Sequence, residues 1–254
     1  MTGPWNSTSQ EERSWPSTNT LKAWSPSSRV TMAERLPSET ADGVAAGPFG
    51  EWLRQTRAAL HGDAGSDVPC GDCVGCCVSS YFIPIRPGDR EALARIPEKL
   101  LVTAAGAPPG HRMMGYREDG TCHMLNERQC SIYRERPQTC RDYDCRIFAA
   151  AGIDAGNADK HVINTRVRAW RFTYPTEADR QAHDAVLSAA SFIQTKKASF
   201  PGGRAPTAPT GIAVLAIKAY SVFLGVDPQA TRSDADTASA IIDASRKFDS
   251  GESL

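Results

Sequence analysis

Eight cysteines are the residues of this sequence whose type and spacing indicate chemistry. They lie close together in a 254-residue chain, and the first four form the pattern C-x-x-C-x-x-C-C at 70–77. Two residues between thiols allow a tight backbone turn to present both sulfurs, with backbone N–H groups beside them, to one metal centre. The predicted metal ligands are Cys70, Cys73, Cys76, Cys77, Cys122, Cys130, Cys140 and Cys145.

The predicted cofactor is either Zn²⁺ or an iron–sulfur cluster, because thiolate sulfur suits both. One closed zinc site needs four ligands, so eight cysteines favour two sites, or one cluster with additional thiols. Four thiolates leave a net negative charge, which cationic and N–H neighbours would offset. Tyr133, Arg136 and Arg141 are the predicted neighbours of the ligands, and Tyr133 is expected to form an apolar plug with Ile132 that keeps water from the sulfurs.

Other cysteine chemistry fits the spacing less well. An even number of cysteines is also typical of a disulfide framework, but the N-terminus has no apolar segment of a secretory signal. Radical enzymes that use S-adenosylmethionine typically need C-x-x-x-C-x-x-C, and Ser80 occupies the third cysteine position after Cys73 and Cys77. The five histidines are scattered and are interpreted as ordinary residues, and glycine-rich nucleotide-binding motifs are absent from the sequence.

The composition of the chain limits the kinds of partner that it is expected to bind. Lys+Arg and Asp+Glu both number 29, so the formal net charge is zero, which argues against nucleic-acid binding and against electrostatic membrane binding. The sequence has no run of 18 apolar residues, which predicts no membrane span. A metal ion is the predicted partner, and a cytoplasmic location is expected, where thiols stay reduced.

The chain is predicted to be mainly α, with an irregular metal-stapled cysteine-rich region followed by a C-terminal helical segment. Residues 1–45 are rich in Ser, Thr and Pro, and are expected to be disordered or an extension upstream of a start at Met32. The alternative is a docking peptide anchored by Trp5, Trp15 and Trp24. Residues 46–150 are the predicted metal-binding domain, and residues 151–254 the helical region packed on it.

Several elements are predicted from local patterns. Phe49, Trp52, Leu53 and Leu60 share a helical face, and Asp89 suits the N-cap of a short helix. The segment 106–120 is predicted to be a loop, and alternation over 170–174 suits a strand. Helices are also expected after Pro137, after the box Thr176-x-x-Asp179, over 211–224 and from Ser233.

Three blocks of sequence carry a resemblance to a known family. They read CGDCVGCC at 70–77, GTCHML at 120–125 and CSIYRERPQTCRDY at 130–143. Their order and spacing resemble the CxxCxxCC family of bacterial proteins, which are described as zinc- or iron-chelating. The resemblance covers about residues 68–148 and implies metal chelation.

Spacing also ranks the ligands, because Cys70, Cys73 and Cys76 repeat every three residues and a tight turn can direct them at one centre. Cys70, Cys73, Cys76, Cys122, Cys130 and Cys140 are expected to be core ligands. Cys77 suits a second metal or a bridging role, because adjacent side chains in extended backbone point in opposite directions. Cys145 lies beyond the matched blocks and is expected to contribute least.

Three functions remain open from the sequence. The first is a non-catalytic metal-site protein, which we favour because no catalytic residue is identifiable. The second is an iron–sulfur oxidoreductase or electron carrier. The third is a protein lysine methylase-like enzyme, since a flagellin lysine methylase shares this cysteine cluster.

Overall fold

The structure of the chain is a computed structural model. It describes residues 43–62, 65–66, 68, 70–103, 106–225 and 232–251. Every element below lies in one compact unit within residues 39–254. The predictions for Met32 and for Trp5, Trp15 and Trp24 lie outside the described residues.

Most described residues that are not in loops are helical, which confirms the prediction of a mainly α protein. The helices are α1 (Phe49–His61), α2 (Arg90–Arg95), α3 (Gln138–Asp142), α4 (Arg146–Ala151), α5 (His161–Ala169), α6 (Glu177–Thr195), α7 (Pro209–Ala219) and α8 (Asp234–Ser250). Among the described residues, no helix combines the length and apolar character needed to cross a membrane.

The longest helices begin where the sequence predicts. Thr176 and Asp179 form a capping box at the start of α6, since each side chain accepts a hydrogen bond from the other residue's backbone N–H. Ser233 caps α8 by accepting from the N–H of Asp236. These side chains satisfy N–H groups that have no partner within the helix.

Short strands form three small sheets. Parallel strands β1 (Val44–Pro48) and β7 (Trp170–Thr173) make the first, and strands β2 (Ile83–Ile85), β3 (Leu101–Val102) and β4 (Arg112–Met114) make an antiparallel sheet in the order β2-β4-β3. The third is a hairpin of β5 (Leu125–Asn126) and β6 (Gln129–Cys130). β7 confirms the predicted strand, whereas the prediction of a continuous loop over 106–120 is wrong at β4.

Two separate clusters of buried residues form the interior. The larger one, here called the helical core, draws on α1 and α4–α8 and includes Trp52, Phe148 and Ile217. It therefore contains residues from both sides of position 150, where the sequence predicted a domain boundary. The smaller one, here called the small core, lies among the short strands and α2, and consists of Ile85, Ala92, Ile96, Leu101, Met114, Cys122, Leu125 and Ile132.

Candidate metal centre

The C-x-x-C-x-x-C-C segment forms a tight turn with N–H groups directed at sulfur. The N–H of Cys73 donates to the carbonyl of Cys70 at 3.0 Å, and the N–H of Gly75 donates to Cys73 Sγ at 3.4 Å. The hydroxyl of Ser79 then donates to the carbonyl of Gly75 at 2.6 Å and closes the following 3-10 turn. Gly75 lies against Ile163 of α5, which positions this turn beside the helical core.

The second cysteine block is hydrogen-bonded to the first. The N–H of Cys122 donates to the carbonyl of Cys77 at 2.6 Å, and the N–H of Ser80 donates to the carbonyl of Gly120 at 3.0 Å. Gly120 has φ +84°, in the left-handed region that favours glycine, and a Cβ there would meet the Ser80 hydroxyl. The N–H of Met124 donates to Cys122 Sγ at 3.4 Å, which repeats the N–H to sulfur arrangement.

The third block folds back on the other two. Cys130 pairs with Leu125 in the β5–β6 hairpin, which places it beside the turn of Cys122. Cys140 lies in α3, which begins directly after Pro137 as predicted. The hydroxyl of Thr139 ties α3 to β2 through a 2.7 Å hydrogen bond to a backbone carbonyl.

Asp89 joins the third block to the segment before α2. It stands at the N-cap of α2 as predicted, but its side chain does not cap that helix. One carboxylate oxygen accepts from the N–H of Arg86 and the other from the N–H of Gln138, both at 2.8 Å.

Cys145 differs from the other thiols because it is part of the helical core. It is buried at the N-cap of α4, and the indole Nε1–H of Trp170 donates to its Sγ at 3.1 Å. Sequence reasoning missed this contact, because the alternation over 170–174 indicates only a strand at Trp170.

A buried ion pair fixes the backbone next to Cys145. The carboxylate of Asp144 contacts the guanidinium of Arg146 at 2.9 Å, with the two side chains only 3% and 7% exposed. Trp52 Nε1 donates to the same carboxylate at 2.9 Å, and Arg146 donates to the carbonyl of Ala46 at 3.1 Å. This network, which sequence reasoning missed, connects α1 and β1 to the last cysteine.

Burial and mutual repulsion raise the pKa of most of the thiols. Burial raises the pKa of Cys140 to about 12, and thiolate charge on Cys76, Cys122 and Cys130 adds to this effect. Burial also raises the pKa of Cys145 to about 12, with smaller contributions that include Asp144, Cys73 and Cys70. A raised pKa favours the neutral thiol. A bound cation reverses this preference, because it stabilises the thiolate form.

Cys76 and Cys77 contact each other through their thiols. Their Sγ atoms lie 4.0 Å apart, and this contact is the largest cause of the raised pKa of Cys76. Cys76 is exposed, whereas Cys77 is half-buried against the small core. All eight cysteines carry free thiols.

The predicted neighbours of the ligands are partly where expected. The charge of Arg136 lowers the pKa of Cys130 and Cys140, although burial outweighs it in both. The guanidinium of Arg141 donates to backbone carbonyls in the loop before α3. Tyr133 is 56% exposed, so the predicted plug is wrong for this residue, while Ile132 is buried in the small core. At the surface, the guanidinium of Arg136 lies over the Tyr133 ring, 4.0 Å from its centroid.

Two tyrosines and a lysine complete the surroundings of the array. The hydroxyls of Tyr143 and Tyr81 are 3.2 Å apart, and the pKa of each is raised, first by burial and also by thiolate charge on Cys76 and Cys145. Lys160 lies 4.4 Å above the Tyr81 ring and donates to the carbonyl of Ser79. Sequence reasoning did not select these residues, since nothing in their spacing links them to the cysteines.

The donor set fits a thiolate-bound metal. Free thiols with backbone N–H groups directed at Cys73 and Cys122 are the arrangement that metal–sulfur sites share. Within the described ranges, however, no group of three or more Cys, His, Asp or Glu side chains is placed closely enough to hold an ion. The described residues therefore do not show the arrangement that the sequence predicts, in which a metal holds the cysteine-rich region together.

Fold and site together define a cysteine-rich region with its own small core beside the helical core. Residues 69–163 match the model of the CxxCxxCC family, which is described as "Putative zinc- or iron-chelating domain". This match confirms the resemblance seen in the sequence. Searches of curated proteins and of solved structures gave no match.

Proposed function

We propose that the cysteine array binds zinc or an iron–sulfur cluster, and that this centre holds the fold together and has no catalytic role. The observation that carries the proposal is the pair of turns in which a backbone N–H donates to the sulfur of Cys73 or Cys122. Such donors stabilise metal-bound thiolate, and the family match supports chelation.

The chain's own residues would give the centre its shape and its charge balance. Backbone hydrogen bonds from Ser80 and Cys122 bring the first two cysteine blocks together, and the hairpin at Cys130 adds the third. The cations of Arg136 and Lys160 lie near the array and would offset the negative charge of the thiolates. When bound, zinc would supply a closed structural centre, and an iron–sulfur cluster would supply electron transfer.

An electron carrier is a second candidate, and one observation favours it. Cys76 is exposed, so one edge of a cluster bound to it would lie at the surface, where electrons could reach a partner. The lysine methylase-like alternative from the sequence remains untested, and no observation favours it.

Metal analysis of the full chain tests the proposed function. Protein purified anaerobically under reducing conditions is expected to contain zinc, or iron with acid-labile sulfide, in a fixed ratio to the chain. A colourless protein would indicate zinc, and a brown one an iron–sulfur cluster. Cys73→Ser should lose metal, because it removes a ligand held in a preformed turn.

His123→Asn is the matched control for this measurement. His123 follows a predicted ligand directly but is interpreted as an ordinary residue, so its substitution should leave the metal content unchanged. Wild-type protein without metal, or full metal content in Cys73→Ser, would contradict the proposed function.

A further inference from the structure

Cys76 and Cys77 are adjacent residues whose thiols lie in contact. Both belong to the 3-10 turn of Gly75–Val78, and their Sγ atoms are 4.0 Å apart. Side chains of neighbouring residues point in opposite directions in extended backbone, whereas a 3-10 turn separates them by only about 120°, because it has about three residues per turn. The turn therefore brings together two sulfurs that the extended geometry expected from the sequence would hold apart.

Hydrogen bonds hold the backbone of this pair on both sides. The N–H of Cys77 donates to the carbonyl of Val74 at 2.8 Å, and the carbonyl of Cys77 accepts from the N–H of Cys122 at 2.6 Å. The hydroxyl of Ser79 donates to the carbonyl of Gly75 at 2.6 Å. The contact between the two thiols therefore belongs to an anchored turn.

The two thiols differ in their access to solvent. Cys76 is exposed, whereas the other seven cysteines, all within the described residues, are half-buried or buried. Cys77 packs against the small core. An oxidant in solution therefore reaches Cys76 first, and the thiol of Cys77 lies beside it. An accessible thiol next to a second thiol is an arrangement typical of redox-active cysteine pairs.

We propose that Cys76 and Cys77 form a redox-active pair, which a hydroperoxide such as hydrogen peroxide oxidises to a disulfide between adjacent residues. The sulfur of Cys76 attacks one oxygen of the peroxide, the O–O bond breaks, and a sulfenic acid forms as water leaves. The sulfur of Cys77 then attacks the sulfur of the sulfenic acid. The S–S bond forms, the S–O bond breaks, and the hydroxyl leaves with the proton of the Cys77 thiol as a second water molecule. Two electrons pass from the two sulfurs to the peroxide, which is reduced to water.

The disulfide would be easy to reduce again. The Cα atoms of adjacent residues lie about 3.8 Å apart across a trans peptide, whereas disulfides usually join Cα atoms that are about 4.4–6.8 Å apart. A bond between Cys76 and Cys77 would therefore be strained, and strain makes a disulfide more readily reducible by a thiol. The pair thus suits a reversible modification better than a permanent structural bond.

Titration of the full chain, as purified, with hydrogen peroxide tests this proposal. The remaining thiols are alkylated after denaturation and counted, and fragmentation mass spectrometry locates the cysteines that escaped alkylation. Cys76 and Cys77 are expected to be lost first, as one disulfide, and dithiothreitol should restore both. In Cys77→Ser, Cys76 should stop at the sulfenic acid, which dimedone traps, because the thiol that would attack it is gone. Cys76→Ser, a substitution at an exposed position, should lose no pair of thiols at the same peroxide concentration.

Cys73→Ser is the matched control, because it removes a thiol three residues from Cys76 and leaves the adjacent pair intact. This variant should form the disulfide as the wild type does. A disulfide between Cys73 and Cys76, a disulfide that persists in Cys77→Ser, or eight free thiols in the wild type after excess peroxide would overturn the proposal.

Cys76 and Cys77 are also predicted metal ligands, so the metal content of the untreated wild type is measured as well. That measurement tests the proposed function separately from the redox pair. Protein that contains metal but forms no disulfide between Cys76 and Cys77 would overturn the redox proposal alone.

Discussion

Removal of metal from the reduced protein is expected to unfold the small core while the helical core remains folded. Metal binding to a structural thiolate site contributes on the order of 10 kcal/mol to folding. The small core has only eight buried residues, and its strands β2, β3 and β4 are only two or three residues long. Without metal, the burial of apolar side chains in the small core would not offset the conformational entropy that is lost when these strands and their connections become ordered.

Hydrogen–deuterium exchange before and after treatment with a chelator measures this effect by region. Amides of β4 and of the Cys122 turn should lose protection, whereas amides of α6 should keep it, because α6 contributes Val186, Ala189, Ala190 and Ile193 to the helical core. Circular dichroism should show a lower melting temperature. Unchanged protection and melting after proven removal of metal would contradict a structural role of the centre.

Asp144→Asn is expected to lower the free energy of unfolding by about 3–5 kcal/mol, the usual cost of breaking a buried ion pair. The substitution keeps the shape of the side chain but removes the carboxylate charge that contacts Arg146. It also weakens the acceptor for Trp52, and so loosens the link between α1 and the segment of Cys145. Urea denaturation followed by tryptophan fluorescence measures the change.

Asp154→Asn is the matched control, because Asp154 pairs with Arg168 at the surface, where the two side chains are 41% and 68% exposed. A surface pair contributes about 0–1 kcal/mol, so this variant should be close to wild type. If Asp144→Asn and Asp154→Asn lowered the free energy of unfolding equally, the buried network would stabilise the fold no more than the surface pair does. The double variant Asp144→Asn/Arg146→Met should recover part of the loss, since it removes both buried charges.

Elements with a local signal were predictable from the sequence. The capping box at Thr176 and the cap at Ser233 mark helix starts through side chains within three residues of the N–H groups they satisfy. The alternation of aromatic and polar residues predicted β7 for the same reason. In each case, the residues that determine the element lie within a few positions of it in the sequence.

Elements that depend on distant partners were not predictable. β1 consists of small residues and forms by pairing with β7, far along the chain. β4 forms because Met113 and Met114 pair with residues of both β2 and β3. No window of local sequence contains that information.

The same distinction holds at the site. The cysteines and the turn at Cys73 follow from residue type and spacing, and the family match supports that interpretation. The contact of Cys145 with Trp170, and the buried pair of Asp144, depend on how α4 packs against β7 and α1. That packing reveals which cysteines share a core, which spacing alone left open.

X-ray absorption at the zinc or iron edge of the purified full chain tests the central claim most directly, since it reports the atoms bound to the metal. Sulfur lies about 2.3 Å from zinc, whereas nitrogen and oxygen ligands lie at about 2.0–2.2 Å. Sulfur alone is expected to surround the metal, both in the wild type and in His123→Asn. A shell dominated by nitrogen or oxygen would contradict it.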